Sequence, residues 1–340
     1  MTATVATGSR ATTTEEVHVH TKLLVPLDGS SHSERALPVA LALARRSVAE
    51  VELVYVHEPP PAPGRAPLYD TRFDAEMRED VRAEFEATAE RLRQTTDVPV
   101  RATFLDGPVV ATLEAHAADR RPELIVMTTH GRGGLSRLWL GSVADALVRR
   151  SGVPVLLVRG EGALPGDTAA PVFRHVLVPL DGSPLAEGVL DHAMRLGTPG
   201  ATTYTLLSVV VPRVIAARAY PGKSTRVDHD DLEQRRQEAQ TYLDRIATEL
   251  RRSGATVATH IAVHAQAAAG ILEAAAAESV DLVALATRGR GAIPRLVLGS
   301  VADKVVRGAE TSALVLRPAD MEGEPASAPP SPGASRDRRV

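Results

Sequence analysis

Two segments of the chain carry residue types that can bind phosphate groups. Residues 129–150 read THGRGGLSRLWLGSVADALVRR, and residues 287–308 read TRGRGAIPRLVLGSVADKVVRG. A Gly-Ser pair in each segment is expected to open a helix, where free N–H groups and the helix dipole form an anion site. Because serine is a good N-cap, we also expect its hydroxyl to cap the helix. The two pairs are Gly141-Ser142 and Gly299-Ser300.

A further glycine precedes each pair and directly follows an apolar run. Gly131 and Gly289 stand where the chain must turn and where a backbone that approaches a ligand tolerates no Cβ. The pattern also has a purely structural explanation, in which the glycines make tight turns and the serines cap helices. Its presence in both segments favours a ligand, although capping geometry alone would also explain why both segments keep it.

A second repeated motif supplies an acidic side chain. VPLDGS occurs at residues 25–30 and again at residues 178–183, each time at the end of a short apolar run. In doubly wound sheets, ligands bind beyond the carboxyl ends of the strands, where the winding reverses. If the strand order is 3-2-1-4-5, Asp28 faces the Gly131 turn across one crevice. Asp181 then faces the Gly289 turn across a second crevice.

Catalytic chemistry has weaker support than binding. The P-loop motif is absent, G-x-G-x-x-G is not completed, and no H-E-x-x-H sequence occurs. His130 of the first segment is replaced by Arg288 in the second, so no general base is common to both. A binding protein is therefore favoured, and slow nucleotide hydrolysis or self-phosphorylation is the alternative. The arginines that both segments share are typical of a solvated phosphate rim: Arg132 with Arg290, and Arg137 with Arg295.

Composition excludes several classes of partner. The chain has 340 residues, a net charge of −3 and 3% aromatic residues, which gives no electrostatic drive toward nucleic acid or anionic membranes and few surfaces for base stacking. It has no cysteine, which excludes disulfides and Cys-based zinc sites. No signal-peptide core and no apolar run of membrane-spanning length is found. We therefore expect a cytoplasmic protein with no nucleic-acid or membrane partner.

The repeats divide the chain into two domains of natural size. We expect a disordered tail at 1–19, a first domain at 20–159, a linker at 160–171, a second domain at 172–318 and a disordered tail at 319–340. Within each domain, apolar runs of strand length alternate with stretches of helical period, which argues for a parallel sheet covered on both faces. The predicted fold class is α/β, as two tandem doubly wound domains, each with a five-stranded parallel sheet in the order 3-2-1-4-5.

The predicted elements are as follows. Strands are expected at 22–27, 51–57, 98–105, 123–128 and 153–158, and again at 175–180, 203–210, 256–263, 281–286 and 312–316. Helices are expected at 33–46, 74–94, 109–118 and 140–150, and again at 185–196, 229–252, 267–278 and 299–307.

The repeated motifs resemble those of the universal stress protein family, as two domains joined head to tail. The resemblance covers nearly everything between about residues 20 and 318. It implies a Rossmann-like fold of the adenine nucleotide alpha hydrolase-like type and a regulatory role in stress response. In the nucleotide-binding branch it also implies a site for ATP or a related adenine nucleotide, with Mg²⁺ as an optional companion of the phosphates. Protein partners or self-association are implied too, and VPVLLV at 153–158 is expected to pair with SALVLR at 312–317 within one chain.

The resemblance also assigns candidate nucleotide contacts. The family pattern G-x-x-G-x9-G-[ST] falls on the glycines and serines described above. The adenine and ribose side falls on the aspartates, on the second strand of each domain and on the end of the fourth strand. With neighbouring residues, the first-domain set is Pro26, Asp28, Val56, Met127, Thr128, Gly131, Arg132, Gly141, Ser142 and Val143. The second-domain set is Pro179, Asp181, Val209, Leu285, Ala286, Gly289, Arg290, Gly299, Ser300 and Val301.

Both domains depart from the family pattern at its first glycine. Thr128 stands there in the first domain and Ala286 in the second. A Cβ at this position crowds the ligand, and threonine adds a methyl group, so we expect weaker nucleotide binding in the first domain than in the second. The same departures support a third hypothesis, a protein-interaction module without a ligand.

Overall fold

A computed structural model describes residues 21–59, 71–129, 140–159, 170–215, 226–287 and 298–317. Both predicted tails and most of the predicted linker lie outside these residues. So do four of the candidate contacts, Gly131, Arg132, Gly289 and Arg290.

The first domain alternates strands and helices. Its strands are β1 (Lys22–Leu27), β2 (Glu50–His57), β3 (Val100–Asp106), β4 (Leu124–Thr128) and β5 (Val155–Val158). Its helices are α1 (Ala36–Ser47), preceded by a 3-10 turn at Ser33–Arg35, α2 (Thr71–Thr95), α3 (Val109–Arg120) and α4 (Ser142–Arg150).

The second domain repeats this order with two differences. Its strands are β6 (His175–Pro179), β7 (Thr203–Val210), β8 (Val214–Ile215), β9 (Arg226–Val227), β10 (Thr256–Val263), β11 (Leu282–Ala286) and β12 (Ser312–Leu316). Its helices are α5 (Pro184–Glu187), α6 (Leu190–Leu196), α7 (His229–Arg252), α8 (Ala267–Ala277) and α9 (Ser300–Gly308). The single helix expected at 185–196 is therefore two short helices, and the ribbon formed by β8 and β9 was not expected.

The main strands form one ten-stranded sheet in the order β10-β7-β6-β11-β12-β5-β4-β1-β2-β3. Each half is parallel and has its first strand between its second and fourth, which is the 3-2-1-4-5 order of a doubly wound domain. The winding in each half thus reverses between the first and fourth strands, where such sheets bind ligands.

The two halves join through their fifth strands. β5 and β12 pair antiparallel, with Leu156 opposite Leu314. The expected pairing of VPVLLV with SALVLR within one chain is confirmed. We call this junction of β5 and β12 the seam. Because it is antiparallel, the carboxyl ends of the strands in the two halves point in opposite directions.

Helices cover both faces of the continuous sheet. One apolar core includes Leu37 of α1, Phe85 of α2, Ala193 of α6 and Leu243 of α7. The other core includes Leu113 of α3, Leu147 of α4, Ile271 of α8 and Val305 of α9. Helices that occupy equivalent places in the two domains therefore lie on the same face, and the two domains share each core. No helix in the described part of the chain is long and apolar enough to cross a membrane.

Glu52 is a buried charge within β2. It accepts a hydrogen bond from Thr103 Oγ1 at 2.7 Å, and its carboxylate lies 3.1 Å from His116 Nε2 and 3.3 Å from Arg120 Nε. Burial acts to raise the pKa of Glu52, but the Thr103 hydrogen bond, His116 and Arg120 outweigh it, so the pKa lies below its usual value. The partners compensate for the cost of burying a charge.

Candidate functional site

The site lies where β1 meets β4 and where β6 meets β11. Leu23 and Leu24 of β1 pair with Leu124 and Ile125 of β4. In the second domain, Val176 and Leu177 of β6 pair with Leu282 and Val283 of β11. The loops that follow these strands are consequently neighbours, and they carry the candidate residues of both domains.

The aspartate that follows the first strand of each domain anchors a tight turn. Asp28 Oδ1 accepts hydrogen bonds from Ser30 N at 2.9 Å and from Ser30 Oγ at 2.6 Å. Asp181 Oδ1 accepts the same pair from Ser183, at 3.0 and 2.6 Å. The glycine between them has a positive φ, 77° at Gly29 and 80° at Gly182, which favours a residue without a Cβ. The DGS motif thus fixes the carboxylate at the strand mouth.

The Gly-Ser pairs open α4 and α9 with nearly identical geometry. Gly141 has φ −58° and ψ 150°, and Gly299 has φ −57° and ψ 144°. Each glycine is the N-cap, and among the described residues neither helix start has a side-chain cap hydrogen bond. The expectation that the serines cap the helices is wrong, because Ser142 and Ser300 are the first helical residues. Because each N-cap residue is a glycine, no N-cap side chain accepts from the first-turn N–H groups in the described part of the chain, and these groups need other acceptors.

A close backbone approach accounts for the glycine in each pair. Gly141 N donates to Thr129 O and Gly299 N donates to Thr287 O, both at 2.7 Å. A Cβ built on Gly299 would lie 2.8 Å from Thr287 O, which is closer than real Cβ atoms come to a carbonyl. The glycine therefore ties the helix start to the loop after the fourth strand, and it has a structural role whether or not a ligand binds.

Apolar candidates form the floor beside each helix start. Met127 of β4 and Leu285 of β11 are buried in the same core, and the half-buried Val56, Val143 and Val209 pack against it. Val301 is more exposed, at 39%. Pro26 lies in β1 and Pro179 in β6, and both are half-buried. The surroundings of both helix starts are therefore apolar on this side.

The residues at the first-glycine position end β4 and β11. Thr128 is buried at the end of β4, and Ala286 is half-buried at the end of β11. Each directly precedes a threonine, Thr129 or Thr287, whose carbonyl accepts the hydrogen bond from the glycine N–H of the Gly-Ser pair. Among the described residues, no group of three or more His, Asp or Glu side chains is arranged to hold a metal ion.

A ring of four charges joins the two helices that the Gly-Ser pairs open. Arg307 Nη2 in the last turn of α9 lies 2.6 Å from Asp145 Oδ1 in the first turn of α4. Arg149 Nη2 in the last turn of α4 lies 2.8 Å from Asp303 Oδ1 in the first turn of α9. Each arginine also pairs with the aspartate of its own helix, four residues earlier. We call these residues the charge ring.

Charge complementarity stabilises the ring. Burial acts to raise the pKa of Asp145, but the hydrogen bonds and positive charges of Arg149 and Arg307 outweigh it and hold that pKa below its usual value. Acidic first turns and basic last turns also match the helix dipoles. Sequence reasoning missed the ring, although both repeated segments have an Asp and an Arg four residues apart after the Gly-Ser pair.

Two further arginines reach across the seam to helix ends. Arg159 Nη2 donates to Val306 O at 2.5 Å, and Arg317 Nη1 donates to Arg150 O at 2.9 Å. Each residue follows its own domain's fifth strand and contacts the last turn of the other domain's helix. Arginine at a helix C-terminus satisfies free carbonyl groups and favours the dipole. The helices that begin at the candidate sites are thus held at both ends across the seam.

Comparison with known proteins gives consistent matches. The family model described as "Universal stress protein family" matches residues 20–159 and 173–317. Universal stress proteins of Mycobacterium tuberculosis and Mycobacterium bovis are 31% identical over 200 residues, which cover 57% of this chain and 62% of each relative. The chain thus aligns with less than two thirds of the length of these relatives.

A tandem-length relative and a solved structure extend the match. A universal stress protein of Mycolicibacterium smegmatis is 26% identical over 301 residues, covering 87% of this chain and 97% of the relative. The crystal structure of a universal stress protein from Archaeoglobus fulgidus superposes with a TM-score of 0.64 at 18% identity, covering 87% of this chain and 98% of that one. With both halves of the chain matched by one family model, this protein belongs to the universal stress protein family.

Proposed function

We propose that this stress-response protein binds ATP or a related adenine nucleotide in one or both domains and works as a regulatory binding protein in the cytoplasm. The observation that carries the proposal is the repeated helix start at Gly141-Ser142 and Gly299-Ser300. Both starts lie beside the winding reversal, have matching dihedral angles and, among the described residues, lack a side-chain cap. A polyphosphate would supply the missing acceptors.

The residues present fit such a ligand in three respects. Hydrogen bonds from Ser30 and Ser183 fix the carboxylates of Asp28 and Asp181 after the carboxyl ends of the first strands. In this proposal each carboxylate accepts a hydrogen bond from a sugar hydroxyl. The buried Met127 and Leu285 and their valine neighbours offer an apolar surface to the base. The first-turn amides of α4 and α9 offer donors to the phosphates, each worth roughly 1.5–3 kcal/mol as a charge-assisted hydrogen bond. Any Mg²⁺ would be held mainly by the phosphates.

Thr128 and Ala286 support a difference between the two sites. Thr128 places a branched side chain at a buried strand end, whereas Ala286 places a single methyl group at a half-buried one. We therefore propose that the second domain binds nucleotide more tightly than the first. The alternative, slow hydrolysis or self-phosphorylation, has only the shared arginines in its favour, and they lie outside the described residues.

Binding stoichiometry tests the proposal. Native mass spectrometry of the full chain with added ATP should give one or two nucleotides per chain, and calorimetry should give the affinities. Binding to the folded state at a concentration 100 times the dissociation constant should add about 2.7 kcal/mol to the stability. No bound nucleotide and no change in melting temperature at millimolar ATP would instead favour a protein-interaction module without a ligand.

A further inference from the structure

A cleft lies over the sheet between the two domains, on the face opposite the helices of the charge ring. It lies between the end of α1 in the first domain and α6 in the second. Its volume is about 270 Å³. The floor is apolar and is formed by Leu23 of β1, Leu124 of β4 and Leu314 of β12. The cleft therefore has walls from both domains and a floor from the shared sheet.

Charged side chains line the rim of this cleft. Arg46 of α1 donates to Leu196 O at 3.0 Å and also to Gly197 O, both at the end of α6. Arg195 of α6 pairs with Glu123 at 2.6 Å. Both contacts connect the two domains. They therefore fix the distance between α1 and α6, and with it the width of the cleft.

The rim carries an excess of positive charge. No ion pair between Arg46 and a carboxylate occurs within the described ranges, and Arg46 bonds only to main-chain carbonyls. These bonds occupy two of the five N–H donors of its guanidinium. Burial, aided by the charge of Arg195, lowers the pKa of His192 below its ordinary value, which favours the neutral imidazole. With Arg195 balanced by Glu123, the rim has a net charge of one positive unit.

We propose that this cleft is a ligand site for a small monocarboxylate with an apolar body. The carboxylate lies between Arg46 and Arg195, and the aliphatic or aromatic body lies on the leucine floor. One negative charge neutralises the rim, and a planar carboxylate matches the forked donors of arginine. This site is separate from the proposed nucleotide crevices, and its occupant contacts both domains.

The size of the cleft limits the occupant. Small-molecule pockets commonly have volumes of roughly 300–1,000 Å³, and this cleft is slightly below that range. A nucleotide with several charges and a large polar surface does not match a leucine floor and a single excess charge. An inorganic anion would match the charge of the rim but not the apolar floor. A short-chain fatty acid or an aryl carboxylate satisfies both the charge and the floor.

Calorimetry of the full chain with sodium octanoate tests the proposal, and octanamide is the uncharged control. We expect octanoate to bind at millimolar concentration or tighter and octanamide to bind at least about tenfold more weakly, the loss of one good charged contact. Equal binding of the two compounds would overturn the proposal, because the rim charge would then have no effect. Absence of octanoate binding at 10 mM would overturn it as well.

Three variants assign the site. Arg195→Gln should weaken octanoate binding about tenfold, and Glu123→Gln should strengthen it, because Arg195 then loses its competing partner. Both side chains are accessible, with exposures of 63% and 33%, so the fold should tolerate the changes. Arg45→Gln is the matched control, since Arg45 is on the same helix but pairs with Asp97 and does not line the cleft. Unchanged binding in Arg195→Gln, or weakened binding in Arg45→Gln, would place octanoate elsewhere.

Discussion

Replacing Ser142 and Ser300 by Glu should separate nucleotide binding from folding. Both serines are exposed first residues of their helices, and within the described part of the chain neither hydroxyl has a hydrogen bond partner. Gly299 is a poorer target, because any side chain there would meet Thr287 O. A glutamate at the first helical position places a negative charge beside the amides that the phosphates would use.

The added glutamate should raise the stability of the fold and lower the affinity for ATP. A carboxylate near a helix N-terminus should stabilise the fold by about 0.3–1 kcal/mol. Two like charges 4 Å apart repel by about 1 kcal/mol in water and by about 4 kcal/mol at an effective dielectric constant of 20. ATP affinity should therefore fall by between about fivefold and several hundredfold, while the melting temperature stays the same or rises.

Calorimetry with ATP at about 0.15 M salt, where distant charges are screened, measures the affinity. Ser142→Gln and Ser300→Gln are the matched controls, because they change the shape in the same way without adding a charge. Each single variant also assigns stoichiometry, since Ser300→Glu should leave any site of the first domain intact. If the Glu variants bind ATP as tightly as the Gln variants, the phosphates do not lie at these helix starts.

Three further changes test the packing and the charges. Asp145→Asn should lower the free energy of unfolding by about 1–3 kcal/mol at pH 7. Because the pKa of Asp145 is lowered in the folded state, this stabilisation is present above about pH 4 and is lost as the pH falls. Urea unfolding that shows the same difference between variant and parent at pH 7 and at pH 3 would contradict this. Glu52→Gln should lower the free energy of unfolding by about 1–3 kcal/mol, because a buried carboxylate with charged partners is lost. An unchanged midpoint of chemical denaturation would show that the hydrogen bonds and ion pairs of Glu52 do not contribute to stability. Gly197→Ala should destabilise the protein, because the new Cβ would overlap Tyr204 Oη, whereas Gly152→Ala, with nothing within 4 Å of its Cβ, should be neutral or stabilising in the same thermal melts.

Much of the fold was predictable because local periodicity and topology rules agree. Alternating apolar runs and helical stretches indicated two doubly wound domains, and the repeated VPLDGS motif marked the first strand of each. The pairing of β5 with β12 was also anticipated. Two details were not, the ribbon of β8 and β9 and the division of the helix expected at 185–196 into α5 and α6. Apolar spacing gives little information about a break in a helix.

The candidate site was only partly predictable, since the missing parts depend on tertiary geometry. The strand order is the expected one and brings the loop that carries Asp28 to the same end of the strands as the Gly141 helix start, whereas the Gly131 turn lies outside the described residues. The role of the serines was mispredicted, because Gly141 and Gly299 occupy the N-cap positions and the hydroxyls lie one residue further on. The charge ring requires α4 and α9 to lie antiparallel across the seam. Sequence spacing reveals the two aspartate-arginine pairs but not that they exchange partners.

The antiparallel seam has a consequence for how other molecules approach this protein. The strands of the two domains run in opposite directions, so their carboxyl ends lie on opposite sides of the ten-stranded sheet, viewed along the strands. A partner that binds at the candidate site of one domain therefore faces away from the candidate site of the other. A single rigid surface cannot contact both sites. Molecules bound at the two sites would therefore lie at opposite ends of the strands, with the shared core between them.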